Sequence, residues 1–209
     1  MSAAELFHHH FDQCSLVAII RGVKPDEAEA IGQAVYDAGI RIIEVPLNSP
    51  DPIESIRRLA ARFGESMLVG GGTVLEPSTV GEIKAAGGRL IVAPNTNVEV
   101  IEETVAAGLV SCPGYFTPSD AFDAIEGGAT ALKLFPAEGA SPAVLKAQRA
   151  VIPKDVPILV VGGIKPETMQ PWLDAGADGF GLGGGLYRPG QSPAETGEKA
   201  RAYVAALRS

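Results

Sequence analysis

A lysine inside an apolar segment is the first residue of this chain that could do chemistry. Lys133 lies in the run Ala131 to Phe135, whose other members are typical of a buried strand. Burial lowers the pKa of a lysine, and a neutral amine is a nucleophile that forms a Schiff base with a carbonyl carbon. The alternative interpretation is a lysine whose stem crosses the strand while its charge reaches solvent at the strand end.

A carboxylate in a second apolar segment could act beside this lysine. Strand alternation puts Glu44 on the same face as Ile42, opposite Ile43 and Val45. In a barrel, Glu44 and Lys133 would both point inward near the top. A buried salt bridge is the structural interpretation, but such a pair is weak evidence for stability because desolvation consumes most of the attraction. We therefore favour a base beside a nucleophile.

The elements that must position these residues alternate along the whole chain. Eight apolar segments are predicted as strands: Leu16–Ile20, Ile40–Val45, Met67–Val69, Leu90–Ala93, Leu109–Cys112, Ala131–Phe135, Ile158–Val161 and Gly179–Leu182. Amphipathic segments lie between them, with Pro-acidic starts and Ala-Gly ends typical of helices. The pattern predicts one α/β domain over residues 1–209, a (β/α)8 TIM barrel with a short leading helix within 1–14. An open doubly wound sheet is the alternative.

Glycine clusters follow the last two predicted strands. Gly162 and Gly163 follow the seventh, and Gly183 and Gly184 follow the eighth. Glycines let backbone N–H groups approach an anion, and these two loops form the usual phosphate site of such barrels. The segment from Gly179 to Gly184 also matches the dinucleotide motif G-x-G-x-x-G, but too little chain follows for a further βαβ half, so we reject that interpretation.

Composition limits the classes of partner. The chain has 209 residues and a formal net charge of −8, which argues against nucleic acid and against an anionic membrane. Cys14 and Cys112 match no metal or redox spacing and are expected to be reduced thiols of a cytoplasmic protein. The only histidines are His8, His9 and His10, near an N-terminus without a basic apolar signal segment. We expect no metal site.

The motifs together resemble the class I 2-keto-3-deoxy-6-phosphogluconate and 2-keto-3-deoxy-6-phosphogalactonate aldolases, from about Leu16 to the C-terminus. The segments that carry the resemblance are Ala18–Gly22, Ile43–Pro50, Gly71–Leu75, Ile91–Asn95, Cys112–Gly114, Ala131–Pro136 and Val161–Gly163. They occur in order and at barrel spacing, which makes the match specific.

The resemblance implies a role for each site residue. Lys133 would form the Schiff base and Glu44 would transfer protons. Arg21, which could also orient Glu44, and Thr73 would fix the substrate carboxylate. Pocket residues would be Pro94, Phe135 and Val161, and phosphate-binding residues would be Gly162, Gly163, Gly183 and Gly184. It further implies pyruvate and a phosphorylated sugar acid as ligands, no cofactor, no metal, and a homotrimer.

Two segments place the chain nearer the phosphogalactonate branch of this family. The stretch Pro46 to Pro50 and the pair Val160-Val161 differ from the Thr-Leu-Arg-Thr-like and Pro-Thr sequences usual in the phosphogluconate branch. Gly184 departs from the serine frequent at its position, which would remove a hydroxyl contact to phosphate. The alternatives are a phosphogluconate-specific or dual-specific aldolase, a phosphate-binding barrel isomerase, and a non-catalytic phosphosugar sensor.

Overall fold

The computed structural model describes residues 1–208, and its strands form one parallel sheet. The strands are β1 Leu16–Ile19, β2 Ile42–Pro46, β3 Leu68–Gly72, β4 Leu90–Val92, β5 Val110–Cys112, β6 Gly114–Tyr115, β7 Leu132–Leu134, β8 Ile158–Val161 and β9 Gly179–Leu182. The α-helices are α1 Ala3–Gln13, α2 Pro25–Asp37, α3 Pro52–Phe63, α4 Ser78–Ala85, α5 Val98–Ala106, α6 Pro118–Glu126, α7 Pro142–Arg149, α8 Met169–Asp174 and α9 Pro193–Leu207. Short 3₁₀ turns cover Gly64–Ser66, Ala137–Gly139 and Pro166–Thr168.

The sheet closes into a barrel through a strand that is interrupted by a proline. The strand order is β5-β4-β3-β2-β1-β9-β8-β7-β6, and only Pro113 separates β5 from β6. The N–H of Lys133 donates to the Pro113 carbonyl at 2.9 Å, and the N–H of Ala131 donates to the Ser111 carbonyl at 3.2 Å. Both halves therefore act as one fifth strand, and the predicted eight-stranded TIM-type barrel is confirmed.

Helix starts and ends are encoded locally. Ser2 caps α1 in a capping box with Glu5, and Thr117 caps α6 in the same way with Asp120. Such caps satisfy backbone N–H groups that have no partner within the helix. The observed bounds of α1 agree with the predicted leading helix within 1–14. No helix in residues 1–208 is both long and apolar enough to cross a membrane.

The barrel interior is closed at its amino end and open at its carboxyl end. Leu6, Phe7 and Phe11 of α1 belong to the same buried apolar cluster as the inward-facing side chains of the strands. Phe7 reaches the chamber that also holds Glu44 and Lys133. Because α1 fills the amino end, the polar interior groups are reached only from the side where the strands end.

Four predicted strands differ from the structure by one or two residues at their ends, and two differ more. The third strand continues through Gly70, Gly71 and Gly72 instead of ending at Val69, and the fifth resumes as β6 after Pro113. Glycines have low strand propensity, so the sequence pattern ended at Val69. Proline donates no ladder hydrogen bond, which divides the fifth strand into two short pieces.

Candidate active site

Lys133 lies in the interior of the barrel, on β7. Its residue is 6% exposed, and its Nζ lies 4.8 Å from the centre of the Phe135 ring. Burial lowers its pKa from the ordinary lysine value, while the nearby Glu44 carboxylate acts in the opposite direction. The aromatic face also favours a cation at this point, whether ammonium or iminium. Lys133 is therefore a buried amine whose neutral form is favoured by burial and whose cationic form is favoured by Glu44 and the Phe135 ring.

Glu44 faces the same interior from β2 and is 1% exposed. Burial raises its pKa to about 7, against the opposing influence of Lys133 and Arg21. Its Oε2 is buried and accepts no hydrogen bond. A Cβ on Gly72, in the register neighbour β3, would overlap this carboxylate. Gly72 therefore makes the space that Glu44 occupies, and the unpaired oxygen is available for a ligand proton.

Glu44 and Lys133 share a small inner chamber without forming an ion pair. Their charged atoms are farther apart than the 4.0 Å limit of a salt bridge. Cys112 and Val161 complete this part of the wall, and burial raises the pKa of the Cys112 thiol to about 12. The thiol is therefore neutral and adds a weakly polar surface, so a proton acceptor and a nucleophile flank one enclosed space.

Arg21 stands at the mouth of the barrel, between two hydrogen-bond acceptors. Its guanidinium donates to Oδ1 of Asn48, and both of its Nη atoms lie 3.4 Å from Oγ1 of Thr73. Thr73 has φ of 57°, which is unfavourable for a β-branched residue and is found where a site fixes the backbone. The arrangement presents a cation and a hydroxyl to an anionic ligand.

An outer cavity of about 540 Å³ connects these groups to the glycine loops. It is lined by all the predicted site residues except Glu44, which lies in the inner chamber below: Arg21, Thr73, Pro94, Lys133, Phe135, Val161, Gly162, Gly163, Gly183 and Gly184. Lys133 and Val161 line both spaces. The structure thus brings the whole predicted set together around two adjoining spaces.

Several residues of the site were not in that set. Asn48 bonds to Arg21, Gly72 accommodates Glu44, and Glu138 and Arg188 line the outer cavity. Asn48 and Arg188 do follow strand ends, which is the available sequence signal. Arg21 could also orient Glu44 according to the resemblance; in the structure its hydrogen bonds go to Asn48 and Thr73, and its charge acts to lower the pKa of Glu44. Within residues 1–208, no group of three or more His, Cys, Asp or Glu could hold a metal ion.

Comparison with known proteins shows which family the chain is part of. The family model described as "Aldolase: KDPG and KHG aldolase" matches residues 8–191. The chain belongs to this family. It is 47% identical to the 2-dehydro-3-deoxy-6-phosphogalactonate aldolase of Escherichia coli strain K12, over 92% of this chain and 94% of that one. The probable enzyme of the same name from Rhizobium meliloti strain 1021 is 42% identical, over 91% and 90% of the two chains.

A solved structure agrees with the sequence comparison. The structure described as "Native KDPGal structure" has a TM-score of 0.91 to this chain at 47% identity, covering 92% of this chain and 94% of that one. As a member of the KDPG and KHG aldolase family, the protein is an aldolase and hence a carbon–carbon lyase. The predicted family resemblance is confirmed, and the isomerase and sensor hypotheses are set aside.

Proposed function

We propose that the protein cleaves 2-dehydro-3-deoxy-6-phosphogalactonate reversibly to pyruvate and D-glyceraldehyde 3-phosphate, through a Schiff base on Lys133. The observation that carries this proposal is the buried pair of Lys133 and Glu44, which share one inner chamber below the outer cavity. The family and the curated relatives support the reaction class and the substrate.

The reaction begins at Lys133. The neutral amine attacks the C2 ketone of the substrate to give a carbinolamine, which loses water to form an iminium. Desolvation of Lys133 favours the neutral amine before attack. The face of Phe135 then lies beside the cationic nitrogen and favours the iminium. The iminium itself polarises the substrate, so the proposed mechanism requires no metal and no organic cofactor.

Glu44 carries the proton in the next steps. Its carboxylate takes the proton of the C4 hydroxyl, the electrons of the C3–C4 bond move to the iminium, and glyceraldehyde 3-phosphate leaves. The protonated Glu44 returns this proton to C3 of the remaining enamine, and water hydrolyses the resulting iminium to pyruvate and free Lys133. A pKa of about 7 suits a group that must both accept and donate a proton near neutral pH.

The two ends of the substrate are bound by different parts of the outer cavity. Arg21 and Thr73 hold the C1 carboxylate, close to Lys133, while Pro94 and Phe135 shape the pocket around the imine. The backbone at Gly162, Gly163, Gly183 and Gly184 holds the phosphate at the opposite end. The substrate carbons between these anchors then span the chamber of Glu44 and Lys133.

The preference for the galactonate epimer is assigned to Val161. It lines both cavities beside Lys133, where a methyl group offers no hydrogen bond to the C4 hydroxyl. A threonine hydroxyl there would satisfy the opposite C4 configuration. The relatives named as phosphogalactonate aldolases support the epimer preference itself, and a phosphogluconate-specific or dual-specific enzyme is the alternative.

A coupled assay tests the substrate. Each epimeric acid is cleaved by purified protein, and the pyruvate formed is measured with lactate dehydrogenase. We expect a higher kcat/KM for the phosphogalactonate, and a shift toward the phosphogluconate of about 10-fold in Val161→Thr. Val151→Thr, at a valine 57% exposed, is the matched control and should keep the wild-type ratio. Equal kcat/KM values for both acids would contradict the epimer assignment, and cleavage of neither would contradict the function.

The assembly and the location are also proposed. Leu75, Phe116 and Phe122 are large apolar side chains that are exposed in the single chain and that an assembly could cover. A similar chain, 47% identical, occurs in a cage described as designed from symmetric oligomeric domains. Together with the family resemblance, this supports a homotrimer, and the free thiols of Cys14 and Cys112 fit a cytoplasmic location. A solution mass of three chains by light scattering is the expected result, and a single-chain mass would contradict it.

A further inference from the structure

At the phosphate end of the outer cavity, a carboxylate lies beside the glycine loop and would repel a bound phosphate. A Cβ on Gly162 would overlap Oε2 of Glu138, so this carboxylate lies against the glycine loop. Glu138 also lines the cavity. A phosphate held only by backbone N–H groups would therefore place negative charge beside a carboxylate. Gly184 offers no side-chain donor to offset that repulsion.

Arg188 lines the same cavity, and part of its guanidinium is available to donate hydrogen bonds to a ligand. Its Nε donates to the Gly184 carbonyl at 3.1 Å, which ties the guanidinium to the glycine loop. Within the described part of the chain, no carboxylate lies within ion-pair distance of Arg188, and its two Nη groups make no hydrogen bond. These Nη groups form the planar fork that binds phosphate oxygens in pairs.

The segment that carries Arg188 is held by its own hydrogen bonds. The Gly183 carbonyl accepts from the N–H groups of Leu186 at 2.9 Å and Tyr187 at 3.0 Å. Gln191 closes the far side, because its N–H donates to the Arg188 carbonyl at 2.9 Å and its side chain to the Leu186 carbonyl at 2.7 Å. Arg188 is thus presented from an ordered turn, which reduces the entropy lost when it binds a ligand.

Lys165 is the other cation at this end, and it is the weaker candidate. It lines the cavity from the loop that follows β8. No side-chain hydrogen bond ties its ammonium to either glycine loop within residues 1–208. A flexible ammonium attracts phosphate as a point charge, whereas the tied guanidinium also sets its orientation.

We propose that Arg188 is a phosphate-binding residue of this aldolase, supplying the side-chain donors that Gly184 lacks and offsetting the charge of Glu138. The proposal rests on the proposed function, since it assumes a phosphorylated substrate in this cavity. It assigns the discrimination between phosphorylated and unphosphorylated aldehydes to one side chain that lines the outer cavity.

The test compares two aldehydes in the synthetic direction. Pyruvate is condensed with glyceraldehyde 3-phosphate or with unphosphorylated glyceraldehyde, using wild type and Arg188→Gln. We expect kcat/KM for the phosphorylated aldehyde to fall about 10- to 100-fold, the loss typical of a charge-assisted hydrogen bond, and that for glyceraldehyde to change less than about 2-fold. Arg201→Gln, at an exposed arginine outside the cavity, removes the same charge and should keep the wild-type ratio.

Exchange of the pyruvate methyl protons in deuterated water separates the two proposals. This exchange requires Lys133 and Glu44 but no phosphate, so Arg188→Gln should exchange at the wild-type rate. An unchanged ratio between the two aldehydes, or an equal loss for both, would overturn the role of Arg188. Absence of exchange in the wild type would instead overturn the aldolase mechanism.

Discussion

Lys133 and Glu44 are each shifted toward the uncharged form by the same cause. Burial lowers the pKa of the amine and raises that of the carboxyl group, and mutual attraction opposes both shifts. Since they do not form an ion pair, neither charge is fully compensated, and both groups remain available for chemistry. The barrel thereby holds a carboxyl group with a pKa of about 7 beside an amine whose pKa is lowered by burial.

The pH dependence of cleavage should report Glu44. In the proposed mechanism the C4 hydroxyl proton goes to the Glu44 carboxylate, so kcat/KM should fall as pH decreases below the Glu44 pKa of about 7. Glu44→Gln should lower kcat about 100- to 10,000-fold and remove this limb of the profile. A steady-state pH profile from pH 5 to 9 measures both effects. A wild-type limb near the ordinary glutamate pKa would contradict the proposed base.

Unfolding at two pH values is the control for that variant. The folded-state pKa of Glu44 is raised above its unfolded value, so its contribution to stability is present at acid pH and is lost as pH rises from about 4.5 to about 7. Glu44→Gln removes that loss and should be more stable than wild type at pH 8, with a smaller difference at pH 5. Lower stability at pH 8 would mean that the activity loss reflects misfolding.

The sequence alone predicts the two residues proposed to react, but not the residues that surround and position them. Lys133 and Glu44 are recognisable because each is a charged residue within an apolar strand, and strand alternation fixes the side on which it lies. Asn48, Gly72 and Glu138 depend on which strands are neighbours and on how closely side chains approach across the barrel. Those distances follow from closure of the sheet, which the local sequence pattern does not contain.

Among the elements, β3 does most to shape the interior. Its end is the run Gly70 to Gly72, next to β2, which carries Glu44. The absence of a side chain at Gly72 leaves room for the Glu44 carboxylate, so the glycines at the end of β3 suit the neighbouring strand. Glycines have a low propensity for strands, so the sequence pattern predicts that the strand ends before them. In the structure, parallel pairing with β2 and β4 keeps Gly70 and Gly71 extended.

Gly72→Ala tests the fit between β3 and Glu44. The added methyl group would overlap the carboxylate, so Glu44 must shift, and we expect kcat to fall at least about 10-fold with destabilisation of about 1–3 kcal/mol. Steady-state kinetics and denaturant unfolding measure the two effects.

Gly81→Ala is the matched control for that substitution. Gly81 lies in α4 with open space around it, and alanine should stabilise this helix by about 1 kcal/mol at unchanged kcat. If Gly72→Ala kept wild-type kcat, the fit of Glu44 against β3 would have no catalytic importance.

Across the whole molecule, the cationic side chains near the site and the route for the substrate lie at the same end of the barrel. The formal net charge is −8, yet Arg21, Lys165 and Arg188 all line the outer cavity. These cations provide local attraction for a substrate with an anionic group at each end. Helix α1 closes the opposite end of the barrel, so substrate enters and products leave on the side of the cations.

The whole-molecule prediction succeeded because repetition is visible in the sequence. Eight strand–helix units of similar length predict a barrel, and the ordered motifs predicted the family that the comparisons show. Closure at Pro113 was not predictable in detail, since it depends on backbone hydrogen bonds between Ser111, Pro113 and the strand of Lys133.

Trapping of the Schiff base shows whether Lys133 is the nucleophile that attacks the substrate ketone. The protein is incubated with pyruvate, reduced with borohydride, digested and mapped by mass spectrometry, beside Lys133→Ala and the exposed-lysine control Lys146→Ala. We predict one pyruvate-derived adduct on Lys133 in the wild type and in Lys146→Ala, and none in Lys133→Ala. Folded wild-type protein without an adduct, or with the adduct on another lysine, would contradict the account.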